Sequence, residues 1–287
     1  MPGIRHEAPS ESSFPDLRIL PLGALLPHEE HDVQRAEPLL EQIGQAETWL
    51  NPPIVAPIEH SDHYVVLDGA NRHYTLRHLG FKYILAQVVA YDSADVRLET
   101  WHHAVRSLPS DALLEILGHL DCVTMEHTDL LSARAALAAR EIVMYVVVAR
   151  DLVYALHPAP GQTCSRTASL RSVVNAYQPH GLISRITSDE IESVRALYPD
   201  IGGIVVFPHY EPAEIMVAAR DGDLLPPGIS RHIVHGRALR LHYPISELKD
   251  DGVSLEEKNA HLKQWIQERL AAKRIRFYAE PTFLFDE

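Results

Sequence analysis

The apolar positions of the chain outline short strands alternating with amphipathic helices. Residues 17–22 (LRILPL) read as a strand and 23–31 (GALLPHEEH) as a polar turn. Asp32 is placed to cap a helix reaching about Glu47, since Val33, Ala36, Leu39, Leu40 and Ile43 recur on one helical face. Pro52-Pro53 closes that segment, 54–58 reads as a second strand, and 60–63 is a polar turn. Residues 64–67 form a short buried strand that Asp68-Gly69 breaks. Residues 70–79 follow as a helix that Gly80 stops, and 83–91 (YILAQVVAY) is a further buried strand. The order β-α-β-β-α-β predicts a mixed sheet in the first part of the chain.

Further along, 109–120 carries Leu113, Ile116, Leu117 and Leu120 at helical spacing behind Ser110 or Asp111, and 128–140 is an alanine-rich helix. Residues 141–156 (EIVMYVVVARDLVYAL) are β-branched enough to favour strands, with a buried helix as the alternative. A loop at 157–165 separates them from a helix at 170–177. A strand at 182–186 then leads to a helix bearing Ile191, Val194 and Leu197, capped by Thr187 or Ser188. Gly202-Gly203 leads into a strand at 204–207, 212–220 reads as helix, 221–236 as loop around Pro226-Pro227-Gly228, and 239–243 as strand. The capping box Ser254-Leu255-Glu256-Glu257 opens a peripheral helix to about Lys273. This divides the chain into a flexible start (1–16), an N-terminal mixed-sheet domain (17–108) and a C-terminal α/β domain (109–287), an α/β (α+β) protein without repeats.

Composition narrows the classes. The chain has 287 residues, is 46% hydrophobic and 23% charged, and carries a formal net charge of −13, which argues against a generic nucleic-acid binder. Two cysteines, Cys122 and Cys164, with no CxxC, suit a reducing compartment and suggest neither a metal site nor a disulfide framework. No apolar run is long enough for a bilayer, so a cytoplasmic protein is expected. There is no GxGxxG, P-loop or GxSxG, and the 18 histidines fall in no zinc frame.

Three stretches are left that carry chemistry. Pro27-His28-Glu29-Glu30 offers two carboxylates that suit proton acceptance or divalent-metal binding, or else form a solvated acidic loop. Asp68-Gly69-Ala70-Asn71-Arg72-His73 joins a strand to a helix N-terminus, where free N–H groups and the helix dipole favour a phosphate. The plain alternative makes Asp68 a helix cap and leaves Arg72 in solvent. Gly228-Ile229-Ser230-Arg231-His232 sets hydroxyl, guanidinium and imidazole in succession, suited to an anion or to an ordinary surface loop.

LDGANRHYTLRHLG resembles the D-G-x-x-R motif of the ParB/sulfiredoxin superfamily. Within it the free L-serine kinases have a PHEE-type loop, matched by residues 27–30, and a tryptophan after the next strand, matched by Trp101. They also have a P-x-G-x-[ST]-R-H loop, matched by Pro226, Gly228, Ser230, Arg231 and His232. The resemblance implies a ParB/sulfiredoxin-like sheet and transfer of a phosphoryl group from ATP or ADP, with Mg2+, to free L-serine or a close hydroxy-amino acid. It implies Glu30 as the carboxylate that takes the hydroxyl proton, and Asp68 as a second acid/base partner. Glu30 and Asp68 would also be the magnesium ligands. Asp68, Gly69, Ala70, Asn71, Arg72 and His73 would cradle the nucleotide. Trp101 would wall the amino-acid pocket, with Ser230, Arg231 and His232 at the product phosphate. The chain departs from the family at Ala70-Asn71 and across about 109–170. A ParB-like nucleotide- or DNA-binding regulator is the alternative, and it would want a basic surface and a helix-turn-helix. A sulfiredoxin-like reductase would need a cysteine where Ala70 stands. The sequence leaves open ATP against ADP, serine against threonine, the oligomeric state and the pathway.

Overall fold

The first apolar segments build one mixed sheet in the computed structural model, which describes residues 14–278. The expected flexible start lies almost wholly outside the described residues. The elements run β1 (Asp16–Pro21), β2 (Leu25–Pro27), α1 (Val33–Gln45), β3 (Thr48–Trp49), β4 (Ile54–Pro57), β5 (Tyr64–Asp68), α2 (Ala70–His78) and β6 (Tyr83–Val88). The sheet order is β1-β6-β4-β5-β2, with β1/β6 and β4/β5 antiparallel and β4/β6 and β2/β5 parallel. β5, an interior strand of that sheet, is buried at Val65, Val66 and Leu67 and ends at Asp68. The segment read as a polar turn contains β2, whose three residues pair with β5 and bring His28 to Glu30 alongside it. A strand this short has too few residues to display an alternating pattern.

The second sheet is wholly antiparallel. Its elements follow β7 (Val96–Thr100) as β8 (His102–Arg106), α3 (Ser110–Gly118), β9 (Val123–Thr128), α4 (Leu130–Ala138), β10 (Met144–Ala149), β11 (Leu152–Pro158), α5 (Arg166–Tyr177), β12 (Leu182–Ile186), α6 (Ile191–Leu197), β13 (Ile201–Val206) and α7 (Pro212–Asp221). The strand order is β12-β8-β13-β10-β11-β9. Both faces are covered: Val146 and Val205 join one core with Leu113 and Leu170, while Tyr145 and Val147 join another with Ala133 and Val194. That explains the unbroken apolar run at 142–149, since neither face of β10 meets water. Gly202 and Gly203 lie inside β13, not before it. A side chain at Gly202 would run into the Leu108 carbonyl, so glycine is what lets the strand pass.

The remaining elements are β14 (Ser230–Val234), β15 (Tyr243–Pro244), α8 (Ser246–Lys249) and α9 (Leu255–Ala271). β14 falls where a loop is expected and pairs only with β7, so its residues are half-buried and lack a clean alternation. The strand expected at 239–243 is reduced to its last residue, because β15 pairs only with the two residues of β3. α9 carries the expected capping box at Ser254 and Glu257 and packs back on the first sheet: the Asn259 side chain bonds both the N–H and the carbonyl of Ile19. The caps expected at Ser110 or Asp111 and at Thr187 or Ser188 are instead Pro109 and Glu190, neither with a side-chain cap bond.

The cysteines correct the sequence reading. Cys122, after α3, and Cys164, before α5, form a disulfide although 42 residues separate them. Spacing could not reveal it, since the fold alone brings the two loops together. Among the described residues no helix is long and apolar enough to cross a membrane.

Candidate active site

Two loops from opposite ends of the chain are joined beside β5. The Leu225 N–H donates to the His28 carbonyl and the Glu30 N–H to the Leu225 carbonyl, each at 2.8 Å. The Glu29 carboxylate accepts from the N–H groups of Ser230 at 2.5 Å and Gly228 at 3.1 Å. His28 is 3% exposed, with Nδ1 2.6 Å from the Val66 carbonyl and Nε2 2.7 Å from the Ser230 hydroxyl. A carbonyl only accepts, so Nδ1 carries a proton and donates to it. Glu29 and His28 are therefore occupied in holding the 228–230 loop, and Glu30 is left facing the cavity.

That cavity, about 810 Å³, is walled by Glu30, Ala70, His73, Tyr74, Asn175 and Pro227, among others. It thus receives the PHEE loop, one face of α2 and the C-terminal turn of α5. The Glu30 side chain is 36% exposed and meets Arg171 Nε at 3.9 Å. Arg171, on α5, is fixed by Asp223 at 2.8 Å and by the Leu224 carbonyl at 2.6 Å. A second-sheet helix thereby supplies a positive charge beside the first-sheet carboxylate.

Asp68 ends β5 without capping α2. Gly69 is the N-cap, at φ +100°, and a Cβ there would come within 2.7 Å of Pro53 Cβ. The Asp68 carboxylate instead accepts from Arg72 Nη2 at 2.8 Å and from Arg237. Burial pushes its carboxyl up, but the Arg72 and Arg237 charges and their hydrogen bonds outweigh that, holding it below the ordinary 3.8. Such a carboxylate is a poor proton acceptor and a good anchor for guanidinium groups.

The first turn of α2 still presents the N–H groups that a helix start leaves without intrahelical partners. Asn71 Oδ1 accepts from the Asp32 N–H at 2.8 Å, tying α2 to the start of α1. His73 is 4% exposed; desolvation lowers its pKa, the Leu22 carbonyl partly offsets this, and Arg77 lowers it further. Tyr74 stacks on His31, ring centroids 3.7 Å apart.

Strand alternation splits the Ser230-Arg231-His232 segment. Ser230 and His232 turn toward His28 and Tyr91, whose hydroxyl lies 2.8 Å from His232 Nε2. Burial is the chief reason the His232 imidazolium is disfavoured, its pKa pushed down to about 3. Arg231 turns the other way, bonding Glu99 at 3.0 Å and lying 4.3 Å over the Trp101 ring. The three side chains do not converge on one point. Trp101 sits where the chain passes from β7 to β8, and its N–H donates to the Ile229 carbonyl at 2.7 Å.

Among the described residues no group of three acidic, histidine or cysteine side chains closes on a metal. Glu30 and Asp68, 36% and 39% exposed, are two hard oxygen donors of the kind Mg²⁺ uses with phosphate oxygens and water. Arg171, Arg185 and Arg237 complete the surroundings, and nothing local in the sequence marks them, since each is placed by a partner far along the chain.

No protein-family model matches the chain. It is similar to an ATP-dependent L-serine kinase of Staphylothermus marinus, 35% identical over 98 residues, a stretch that is 34% of this chain and only 39% of that protein. It is also similar to the ATP-dependent L-serine kinase SbnI of Staphylococcus aureus, 25% identical over 277 residues, spanning 94% of this chain and 97% of that one. A solved free serine kinase in complex with AMP superposes with a TM-score of 0.69 at 18% identity, covering 83% of this chain and 98% of that one. The chain shares the mixed α/β fold of that structure.

Proposed function

We propose that this protein is a phosphotransferase that phosphorylates the hydroxyl of free L-serine, or of a close hydroxy-amino acid, with ATP or ADP as donor, giving O-phospho-L-serine. The observation that carries the reading is the grouping of Glu30, Ala70 and His73 of α2, and Pro227 at one cavity, with the adjoining 228–230 loop held by Glu29 and His28. The similarity to named L-serine kinases over nearly the whole chain supports the same reading.

Phosphoryl transfer requires positioning, charge neutralisation and a base more than covalent help. In this account Glu30 accepts the serine hydroxyl proton as the oxygen attacks the terminal phosphorus and the bond to the leaving nucleotide oxygen breaks. The residues at 69–73 receive the nucleotide phosphates through helix N–H groups and Arg72. Asp68 holds Arg72 and Arg237 in place more than it moves a proton. Trp101, with Arg231 against its ring, walls the amino-acid pocket, and Ser230 and His232 meet the product phosphate. Mg²⁺, held by Glu30 and Asp68 together with the nucleotide, would supply charge neutralisation at the phosphates.

The nucleotide-binding unit is proposed within residues 17–108, apart from β8, which belongs to the second sheet, and the later chain adds the substrate loop, in a protein of the cytoplasm. The DNA-binding alternative is not favoured at a net charge of −13. The test is a panel of hydroxy-amino acids against ATP and ADP, read by phosphate transfer; no product with any of them would refute the proposal.

A further inference from the structure

One guanidinium beside this site makes no hydrogen bond to any carboxylate among the described residues. Arg185 lies on β12, where it pairs in register with His103 of β8, and both side chains reach the 228 loop. His103 Nε2 sits 3.2 Å from the Gly228 carbonyl, and its Nδ1 2.7 Å from the Tyr177 hydroxyl. The Arg185 guanidinium is in contact with Gly228, so close that a Cβ there would come within 2.5 Å of Nη2. Gly228 stands at φ +76° and gives its N–H to Glu29.

Arg77 lines the cavity from α2, on the nucleotide side, and among the described residues also bonds no carboxylate; four other arginines around the site are engaged. Arg72 and Arg237 bond Asp68, Arg231 bonds Glu99, and Arg171 bonds Asp223. Arg185 senses Glu29, Asp32 and Asp68 only as charges at longer range, while burial is the main influence and disfavours its cation. His103 beside it is held neutral, its pKa pushed down to about 3 chiefly by burial and further by the Arg185 charge. A partly desolvated guanidinium without a carboxylate partner is a fork awaiting an anion. The nucleotide phosphates have their own donors at the α2 N-terminus. Arg185 instead contacts Gly228, the residue before Ile229, whose carbonyl accepts from the Trp101 N–H.

We propose that Arg185 binds the α-carboxylate of the amino-acid substrate and so selects a free amino acid over the same side chain in a peptide or amide. This rests on the amino-acid kinase reading above, and it assigns the carboxylate to a residue of the second sheet.

The experiment compares L-serine with L-serinamide, which keeps the hydroxyl and amine but lacks the carboxylate, in the wild-type protein and in Arg185→Lys and Arg185→Gln. The wild type is expected to prefer L-serine. In Arg185→Gln the KM for L-serine should rise about ten- to a hundredfold, the loss of a charged hydrogen bond, with nucleotide Kd unchanged. The preference over serinamide should fall toward unity, and Arg185→Lys should recover part of it. An unchanged preference in a folded Arg185→Gln variant overturns the assignment, as does a matching loss of nucleotide affinity, which would make Arg185 a phosphate ligand. Should Arg185→Gln fail to fold, Arg185→Lys carries the same comparison. Calorimetric binding of L-serine and serinamide to the full chain reads the same preference without turnover. Inactivity of the wild type toward every amino acid refutes the kinase reading, whereas activity with selectivity intact in the variants refutes only the role of Arg185.

Discussion

The Glu29 carboxylate holds the Ser230 N–H at 2.5 Å across 201 residues of sequence. With its second oxygen on the Gly228 N–H, it turns one side chain of an acidic pair into a clamp and leaves Glu30 for chemistry. Glu29→Gln replaces one acceptor with a donor facing an N–H. It should destabilise the fold by about 1–3 kcal/mol in denaturant titration. It should also lower kcat/KM for the amino acid while nucleotide affinity stays near wild type. Equal loss of nucleotide affinity would show that Glu29 does not act on the 228–230 loop selectively.

Gly69 is a second point of sensitivity. Its left-handed backbone and the nearby Pro53 leave no room for a methyl group. Gly69→Ala is expected to weaken the fold by roughly 1–3 kcal/mol and to displace the α2 N-terminus. Thermal unfolding and nucleotide titration should both register it.

Asp68 predicts a pH dependence with a definite sign. Its folded pKa lies below the ordinary 3.8, so its ion pairs contribute stability above that pH. The contribution is lost as pH falls through the folded value. The stability gap between wild type and Asp68→Asn should therefore be full at neutral pH and shrink under strong acid. A gap that widened on acidification would contradict this sign.

The Cys122–Cys164 bond closes a loop across 42 positions and anchors the start of α5, whose far end lines the cavity. Replacing both cysteines with serine should lower stability by about 3–4 kcal/mol in the chain-entropy account. Non-reducing mass mapping together with unfolding of the double variant measures it.

Much of this architecture is legible in the sequence where the signal is local. The strand at 64–67, the glycine turn, α2 and the capping box of α9 follow from periodicity and punctuation, and the strand preference of 141–156 is met by β10 and β11. Glu30, Asp68 and Ser230 are found as motifs. Elements whose partners are remote stay hidden: β2 is too short to alternate, β9 is a largely polar edge strand, and β14 follows a Pro-Pro-Gly turn and pairs with β7 alone. For the same reason Asp68 reads as a possible cap until Arg237 is seen on it, and Arg231 reads as a partner of Ser230 until strand alternation turns it to Trp101. The disulfide belongs to the same class.

The central claim is that Glu30 takes the hydroxyl proton during transfer to free serine. Glu30→Gln preserves shape and removes the base. With labelled nucleotide, L-serine and Mg²⁺, the wild type should release O-phosphoserine. Glu30→Gln should bind nucleotide with affinity near wild type and turn over at least about a hundredfold more slowly, the usual scale of general-base catalysis. Phosphoserine formation at the wild-type rate by Glu30→Gln would contradict the account.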